Sequence, residues 1–583
     1  MSDAVLGEGM RAPGPGRGAP VGAPVRLTPS IDQRIMQAGL WLALAFLAVA
    51  LALPMIVLLL RAFENAQGDF VGLSNFVTYV TTPSLVRSVW NSVWTAGVTT
   101  LIVLPLAFAY AYALTRSCMP FKGLFRAVML LPILAPSLLP ALALIYLFGN
   151  QGMLRGLLFG ENIYGPWGII AAQSFYTFPS AAIILSVALA TADARLYEAA
   201  EALKAGRARI FATVTLPGAR FGIVSAAVVV FTLVITDFGI PKVIGGQFQV
   251  LATDVYKQVV GLQDFNMGAV VGLVLLLPAL GAFAAQRWAE GKRGFTLTGR
   301  AVPYVPRPRT ARDLPLLLLC LLIATVLVGI VATAVWGSLI RFWPYNLTLT
   351  LDNYEFSRFD SSGWGAFATS LRLATLAACI GTALIFVVAY VLERGPRLTR
   401  MDRLLRGTVG LLATAPLAIP GLVLGLAFIL FFNHPANPLG FIYGTLTILV
   451  LNSLVHFYTV GHLTAATAIR QLDPEFEAVS SSLRVPLFST FGRVTVPICL
   501  PAIMEIWVYV FVNAMTTVSA VIFLYGPDTK PASVAVVHMD EAGQSSAAAA
   551  MACMLLAATI TVKAAQLLLA RLVDRKTQGW RRR

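Results

Sequence analysis

Charge is what this chain lacks most. Of its 583 residues only 12% are Asp, Glu, Lys or Arg, against roughly 25% in average globular composition, and this excludes an ordinary soluble enzyme. Cysteine is scarce and scattered. Cys118, Cys320, Cys379, Cys499 and Cys553 lie in apolar runs or near one face and form no Cys-x-x-Cys pair, so no disulfide framework is expected. The chain has no Gly-x-x-x-x-Gly-Lys-Ser/Thr phosphate loop, which excludes that route to ATP hydrolysis. Converging nucleophiles, carboxylates or metal ligands of the kind a membrane-embedded enzyme needs are also missing. Residues 1–30 are rich in Gly, Pro and Arg without a hydrophobic region. They read as a disordered tail rather than a cleavable signal peptide.

Long uncharged runs stand in place of the missing charge, and 58% of the residues are hydrophobic. A bilayer core takes about 20 apolar residues per helical span. The sequence predicts twelve spans, at 38–60, 92–114, 127–148, 167–190, 221–239, 268–286, 314–338, 366–392, 407–431, 440–461, 501–524 and 547–570. The third and ninth are interrupted by Pro132, Pro136, Pro140, Pro416 and Pro420. The expected class is an all-α polytopic membrane protein, its first span serving as an uncleaved insertion signal. Its segments are a tail (1–37), a six-span half (38–286), a basic linker (287–313), a second six-span half (314–570) and a basic tail (571–583).

The net charge of +16 raises the question of a polyanionic partner, which its distribution answers. With residues 1–37 placed in the cytoplasm and loops assigned alternately, inside segments hold 33 of the 43 Lys and Arg residues. Outside segments hold eight: Arg61, Arg87, Arg155, Lys242, Lys257, Arg341, Arg358 and Lys530. Only Arg372 and Lys563 fall inside spans, and the outside loops carry eleven acidic residues. This is the positive-inside pattern. It accounts for the charge without nucleic acid and predicts both termini in the cytoplasm.

The chain also repeats itself. Ala111-Tyr-Ala-Leu-Thr-Arg116 closes the second span, and Ala389-Tyr-Val-Leu-Glu-Arg394 closes the eighth, 278 residues later. Pro132 and Pro136 recur as Pro416 and Pro420, Val214-Thr-Leu-Pro217 as Val494-Thr-Val-Pro497, and Phe231 as Phe511. Ordered landmarks at nearly constant offset indicate two parallel halves, with a pathway at their interface as the natural consequence.

One loop is more than a connector. Asp193 to Gly206 is rich in Ala, Glu, Leu and Lys, which favour helix. Asp193 is placed to cap that helix and Gly206 to end it. A second short helix is expected to stop before Pro217, giving a surface helix–turn–helix. Alanines at 199, 202 and 205 lower its profile for a partner's groove, and Glu198 and Glu201 offer charge to a basic partner. An interfacial membrane helix prefers Lys and Arg with large apolar anchors, so this composition favours protein docking.

At these residues the chain resembles the permeases of binding-protein-dependent ABC importers. Their signature is Glu-Ala-Ala, three residues, Gly, nine residues, then Ile-x-Leu-Pro. Here Glu198-Ala199-Ala200 opens the match and Val214-Thr215-Leu216-Pro217 closes it, with Lys204 at the usual glycine position and Gly206 two later. The second copy is weaker: Glu477-Ala478-Val479, Leu483, Arg484, then Val494 to Pro497. Glu477 sits one residue farther from Leu483 than Glu198 does from Leu203, about 100° of helical rotation. The two docking sites are therefore expected to be unequal.

The resemblance covers nearly the whole chain after residue 37. It implies two tandem halves of the type I ABC-importer permease fold in a bacterial inner membrane. It further implies two copies of a cytoplasmic ABC ATPase, a periplasmic solute-binding protein, and no cofactor or catalytic residue in this chain. The coupling-loop residues it implies are Glu198, Ala199, Ala200, Glu201, Leu203, Gly206, Leu216 and Pro217, then Glu477, Ala478, Leu483, Arg484, Val496 and Pro497. The fused arrangement resembles ferric-iron and 2-aminoethylphosphonate importer permeases. The latter is the closer likeness, through Phe231-Thr-Leu-Val-Ile-Thr-Asp-Phe-Gly239, Pro241-Lys-Val-Ile-Gly-Gly246 and Phe511-Val-Asn-Ala-Met-Thr-Thr-Val-Ser-Ala520.

An ionisable group near the bilayer centre costs about 2.5–3.5 kcal/mol on insertion scales. Asp237 therefore calls for a role: lining a polar passage with Thr236, Asn513, Thr516 and Thr517, or capping the span and meeting external water. Arg372 is either a pathway cation or, more simply, a snorkelling side chain. Glu505 is expected to meet cytoplasmic water. His456 and His462 are six apart, on different helix faces and without an acidic or cysteine cluster, so no metal site is expected. The broken-span prolines are either gating hinges or static kinks. A twelve-span secondary transporter is the rival class, but 115–126 lacks the basic Gly-x-x-x-Asp-Arg-like signature such a protein carries between its second and third spans.

Overall fold

The computed structural model describes residues 31–291, 302, 304–395, 399–473 and 475–577. The expectations for 1–30, 292–301 and 578–583 lie outside the described residues. Among the described residues, nine helices are long and apolar enough to cross a membrane, and counting each of three bent helix pairs as one span gives twelve. In order, the spans are Ile31–Arg61, Pro83–Arg116, the pair Lys122–Leu134 and Leu138–Phe148, Pro166–Ala190, Arg207–Thr236 and Phe265–Gln286. The second set is Thr310–Ser338, Gly363–Arg394, the pair Arg400–Ala418 and Gly421–Phe432, the pair Leu446–His456 and Tyr458–Arg470, Leu487–Thr516 and Ser545–Leu572. We number these spans 1 to 12. Helices satisfy their own backbone groups, which is what hydrocarbon demands.

The predicted interruptions of spans 3 and 9 are sharp, with bends of 99° and 116°. Each falls at a residue preceding proline. Ala135 (φ −84°, ψ 143°) precedes Pro136 and Ile419 (φ −102°, ψ 116°) precedes Pro420, because the proline ring disfavours the helical conformation of its predecessor. Pro132 and Pro416 instead occupy first-turn positions of short helices, where a missing N–H costs nothing. Span 10 also bends, by 54° at Phe457, and no proline announces it.

Spans 5 and 11 differ from expectation at both ends. They stop at Thr236 and Thr516, not at 239 and 524, because Asp237 (ψ 132°) and Thr517 (ψ 135°) are extended. Short helices Gly239–Ile244, Leu251–Tyr256 and Ala532–Glu541 follow inside the core. At the other end, span 5 does not start beyond Pro217 but runs continuously from Arg207. A single π-turn, Phe211–Thr215, precedes the proline, with Leu216 N–H reaching back to the Phe211 carbonyl. Phe491–Thr495 does the same ahead of Pro497, and Ala48–Ala52 ahead of Pro54. The wider turn makes room where a proline ring would otherwise crowd the preceding turn.

Each half lends its first span to the other. Span 1 packs on spans 8 and 9, and span 7 on spans 2 and 3. Gln37 donates to Asp402 at 3.0 Å, and a Cβ added to Gly337 of span 7 would lie 2.6 Å from the Tyr146 ring of span 3. Thr559 of span 12 donates to the Leu134 carbonyl at the break of span 3, at 2.6 Å. The two halves are thus built into one bundle, and with each bent pair crossing once, the loops after spans 4 and 10 lie at the same end as the first residues of span 1 and the last of span 12.

Candidate functional site

The loop after span 4 forms an elbow. Its helix, Ala194–Ala202, is capped by Asp193, whose side chain accepts the Arg195 N–H at 3.1 Å. The second elbow helix, Glu475–Ser482, begins the same way, with Asp473 accepting the Glu475 N–H at 3.0 Å. Gly206 does not end the first helix. Lys204 does, with φ +53°, and Arg484 matches it at +54°. Gly206 opens the following helix with an ordinary φ of −65°. The left-handed turn thus falls on the position where the importer signature has glycine, and here it is held by non-glycine residues at a cost of about 1–2 kcal/mol each.

The outward surfaces of the elbows differ. Glu198, Ala199, Glu201, Gly206 and Pro217 are exposed, Ala200 is half-buried, and Leu203 is 83% and Leu216 43% exposed. On the second elbow Leu483 is 69% exposed, Arg484 and Pro497 are exposed, and Val496 is half-buried. Ala478 lies within the helix Glu475–Ser482. Phe476, Val479 and Leu483 form an exposed apolar stripe at helical spacing, matching Leu196, Ala199 and Leu203 at an offset of 280.

Glu477 is not on that outward surface. It occupies the place of Tyr197 and turns inward to pair with Arg394 at 3.2 Å, the two side chains being 27% and 13% exposed. Arg394 also donates to the Ile469 and Leu472 carbonyls at 2.7 and 2.8 Å. In the first half the equivalent Arg116 donates to the Leu189 carbonyl at 2.7 Å and lies 4.9 Å from the centre of the Tyr197 ring. Tyr197 in turn donates to Thr215 at 3.1 Å. Each arginine thus satisfies orphan carbonyls at the end of span 4 or 10 and holds up an elbow from beneath. Sequence reasoning quoted both arginines as repeat landmarks but gave them no role, although the offset that aligns Tyr197 with Glu477 was already visible.

A cavity of about 240 Å³ lies between the halves. Span 5 contributes Thr232 and Thr236, with Asp237 just beyond it. Span 11 contributes Tyr509 and Asn513, and Ser519 follows it. The broken ninth span adds Pro416 to Gly421, and Tyr176 and His456 complete a polar wall. Of the predicted pathway residues, Thr236, Asp237 and Asn513 line this space. Thr516 and Thr517 are not among its lining residues: the Thr516 hydroxyl donates to Val512, and the Thr517 carbonyl accepts from Ser533. Asp237 stands both at the end of a helix and at the cavity wall. It ends span 5, and its Oδ2 accepts from Gln173 at 2.9 Å and from the Ile240 N–H at 3.0 Å while it faces the cavity. Tyr176, Tyr509 and His456 were missed as lining groups, since each reads locally as an apolar-span residue. Glu505 and Arg372 are exposed. Among the described residues no group of three or more His, Cys, Asp or Glu side chains is placed to hold a metal ion.

Comparison with known proteins agrees with this architecture. A ferric transport system permease protein from Actinobacillus pleuropneumoniae is 28% identical over 496 residues, 82% of this chain and 70% of that one. An Fe(3+)-transport system permease protein from Haemophilus influenzae is 25% identical over 520 residues, 88% of this chain and 95% of that one. A Salmonella typhi protein described as a 2-aminoethylphosphonate transport system permease is 26% identical over 267 residues, 44% of this chain and 92% of its own. Residues 107–294 and 381–575 each match one domain family. The chain therefore belongs, twice over, to the family of binding-protein-dependent transport system inner membrane components.

Proposed function

We propose that this chain supplies the whole translocation pathway of an ATP-driven importer. Two copies of a cytoplasmic ABC ATPase dock on the two elbows, a periplasmic binding protein delivers solute to the opposite end, and both termini face the cytoplasm. The observation that carries this reading is the duplication of the elbow. Capping aspartate, left-handed turn, π-turn and supporting arginine recur at offsets of 278 to 280 on one end of the bundle. In this reading Glu198, Glu201 and Leu203 meet one ATPase copy, and Phe476, Val479 and Leu483 meet the other.

The cargo we propose is ferric iron. The cavity wall offers the Asp237 carboxylate, the His456 imidazole and the Tyr176 and Tyr509 phenols, and among the described residues lining it there is no Lys or Arg. A phosphonate would enter this space without a countercharge, at the cost that attends any unpaired buried anion. A cation finds oxygen and nitrogen donors of the kinds that suit iron. The relatives named for ferric transport also span most of this chain, whereas the one named for 2-aminoethylphosphonate spans less than half. The test is uptake by the complete complex in the presence of radiolabelled iron or radiolabelled 2-aminoethylphosphonate. Iron-dependent accumulation supports the proposal, and accumulation of the phosphonate alone refutes the cargo while leaving the permease reading intact.

A further inference from the structure

The linker between the halves reaches the first elbow before it enters span 7. The Val302 carbonyl accepts the Ala194 N–H at 2.9 Å, and the Val302 N–H donates to Asp193 Oδ1 at 3.4 Å. The Tyr304 ring lies 4.6 Å from that of Tyr197, and the Arg116 guanidinium sits 4.5 Å from the Tyr304 centroid. Farther on, the Cys118 thiol donates to the Pro306 carbonyl at 3.2 Å and Arg312 donates to the Arg307 carbonyl at 2.7 Å. The Arg309 N–H donates to Asp313 at 3.0 Å, inside the first turn of span 7. Pro306 and Pro308 fix their own φ angles and stiffen the path. The second elbow has no such segment among the described residues. There the Glu477–Arg394 pair takes the place of the Tyr197–Arg116 contact.

We propose that Val302 together with Tyr304 to Asp313 forms a strap that makes the first elbow and span 7 move as one body, with Tyr304 as its positioning residue. Span 7 belongs to the second half by sequence and packs on the first. A displacement of elbow 1 would therefore reach the second half directly, without crossing the cavity. The inference rests on the proposal that the elbows receive the ATPase stroke.

The test uses the full chain assembled with its ATPase and binding protein in proteoliposomes, with ATPase retention, ATP hydrolysis and solute uptake measured together. Tyr304→Ala is expected to retain the ATPase and hydrolyse ATP within twofold of wild type, while uptake per ATP falls at least fivefold. Tyr304→Phe, which keeps the ring on Arg116 and Tyr197, should restore it. Tyr304→Leu keeps the bulk, loses the aromatic face, and should behave like Tyr304→Ala if the smaller side chain lowers the yield. Unchanged uptake per ATP in both Ala and Leu variants overturns the strap, as does a proportional fall in hydrolysis and uptake. Full retention of the ATPase by a Glu198→Lys/Glu201→Lys chain overturns docking on the elbow instead, and this is read without any change at Tyr304.

Discussion

Charge reversal at the two signature glutamates should produce two different kinds of defect. Glu198 is exposed, so Glu198→Lys leaves the elbow folded and changes only what a partner meets. Two unit charges about 5 Å apart interact by roughly 1–3 kcal/mol at surface effective dielectric values, and exposed pairs are measured at about 1 kcal/mol or less. Reversal at Glu198 should therefore weaken ATPase association by about 5- to 30-fold, more at low salt than at high. Glu477 is different. Reversing it replaces a 3.2 Å ion pair with two cations in a site where the side chains are only 27% and 13% exposed. Removing one partner of a buried pair costs about 3–5 kcal/mol. With the partial exposure, about 2–4 kcal/mol is the expected loss, and it falls on the elbow itself. Hydrogen exchange across residues 475–483 should rise in Glu477→Lys and stay unchanged across 194–203 in Glu198→Lys, with ATPase binding measured on the same nanodisc samples. The double variant Arg394→Glu/Glu477→Lys should recover only part of the loss, because a glutamate cannot donate to the Ile469 and Leu472 carbonyls. If Glu198→Lys loosens its elbow while Glu477→Lys leaves its own intact, the assignment of outward and inward faces is wrong.

Three further outcomes are expected. Gly337→Ala places a methyl 2.6 Å from the Tyr146 ring and should cost about 1–3 kcal/mol by overpacking. Gly329→Ala, with nothing within 4 Å, should not lower the Tm. Lys204→Gly relieves a left-handed non-glycine residue and should slow hydrogen exchange of the first elbow by the equivalent of about 1 kcal/mol. Burial alone would raise the Asp360 carboxyl, but the Lys530 ammonium at 2.8 Å and the Ser362 N–H hold it below the ordinary carboxylate value. A depressed pKa gives stability that is present above the unfolded value of about 4 and is lost as pH falls through the lower folded value. Wild type should therefore lose more Tm than Asp360→Asn on acidification below about pH 4.

How much was legible from sequence depended on whether the deciding interaction was local. The twelve apolar runs, the pre-proline breaks at Pro136 and Pro420 and the Asp193 cap are set within a few residues, and they were readable. Gly206 was misread as the helix stop because glycine is the usual left-handed residue. Lys204 and Arg484 take that conformation instead, at a cost the surrounding elbow must bear. Pro217 was read as a helix stop, yet the helix runs through it, because the π-turn that makes room for the ring leaves no compositional mark. The bend at Phe457 has no proline to announce it. Glu477 matches the docking motif, yet its side chain pairs with Arg394, which is 83 residues earlier in the chain. The cavity was legible only in part: Thr236, Asp237 and Asn513 were polar intruders in apolar runs. Tyr176 and His456 reach it only because spans 4 and 10 converge there.

The central claim is that energy enters from separate subunits through the two elbows. Proteoliposomes holding the purified chain, with or without its ATPase and binding protein, test it most directly when solute accumulation is followed under imposed ATP, proton and sodium gradients. Accumulation should require ATP together with both partners and should be absent from liposomes holding this chain alone. Uphill uptake by the chain alone, driven by a proton or sodium gradient, would contradict the account.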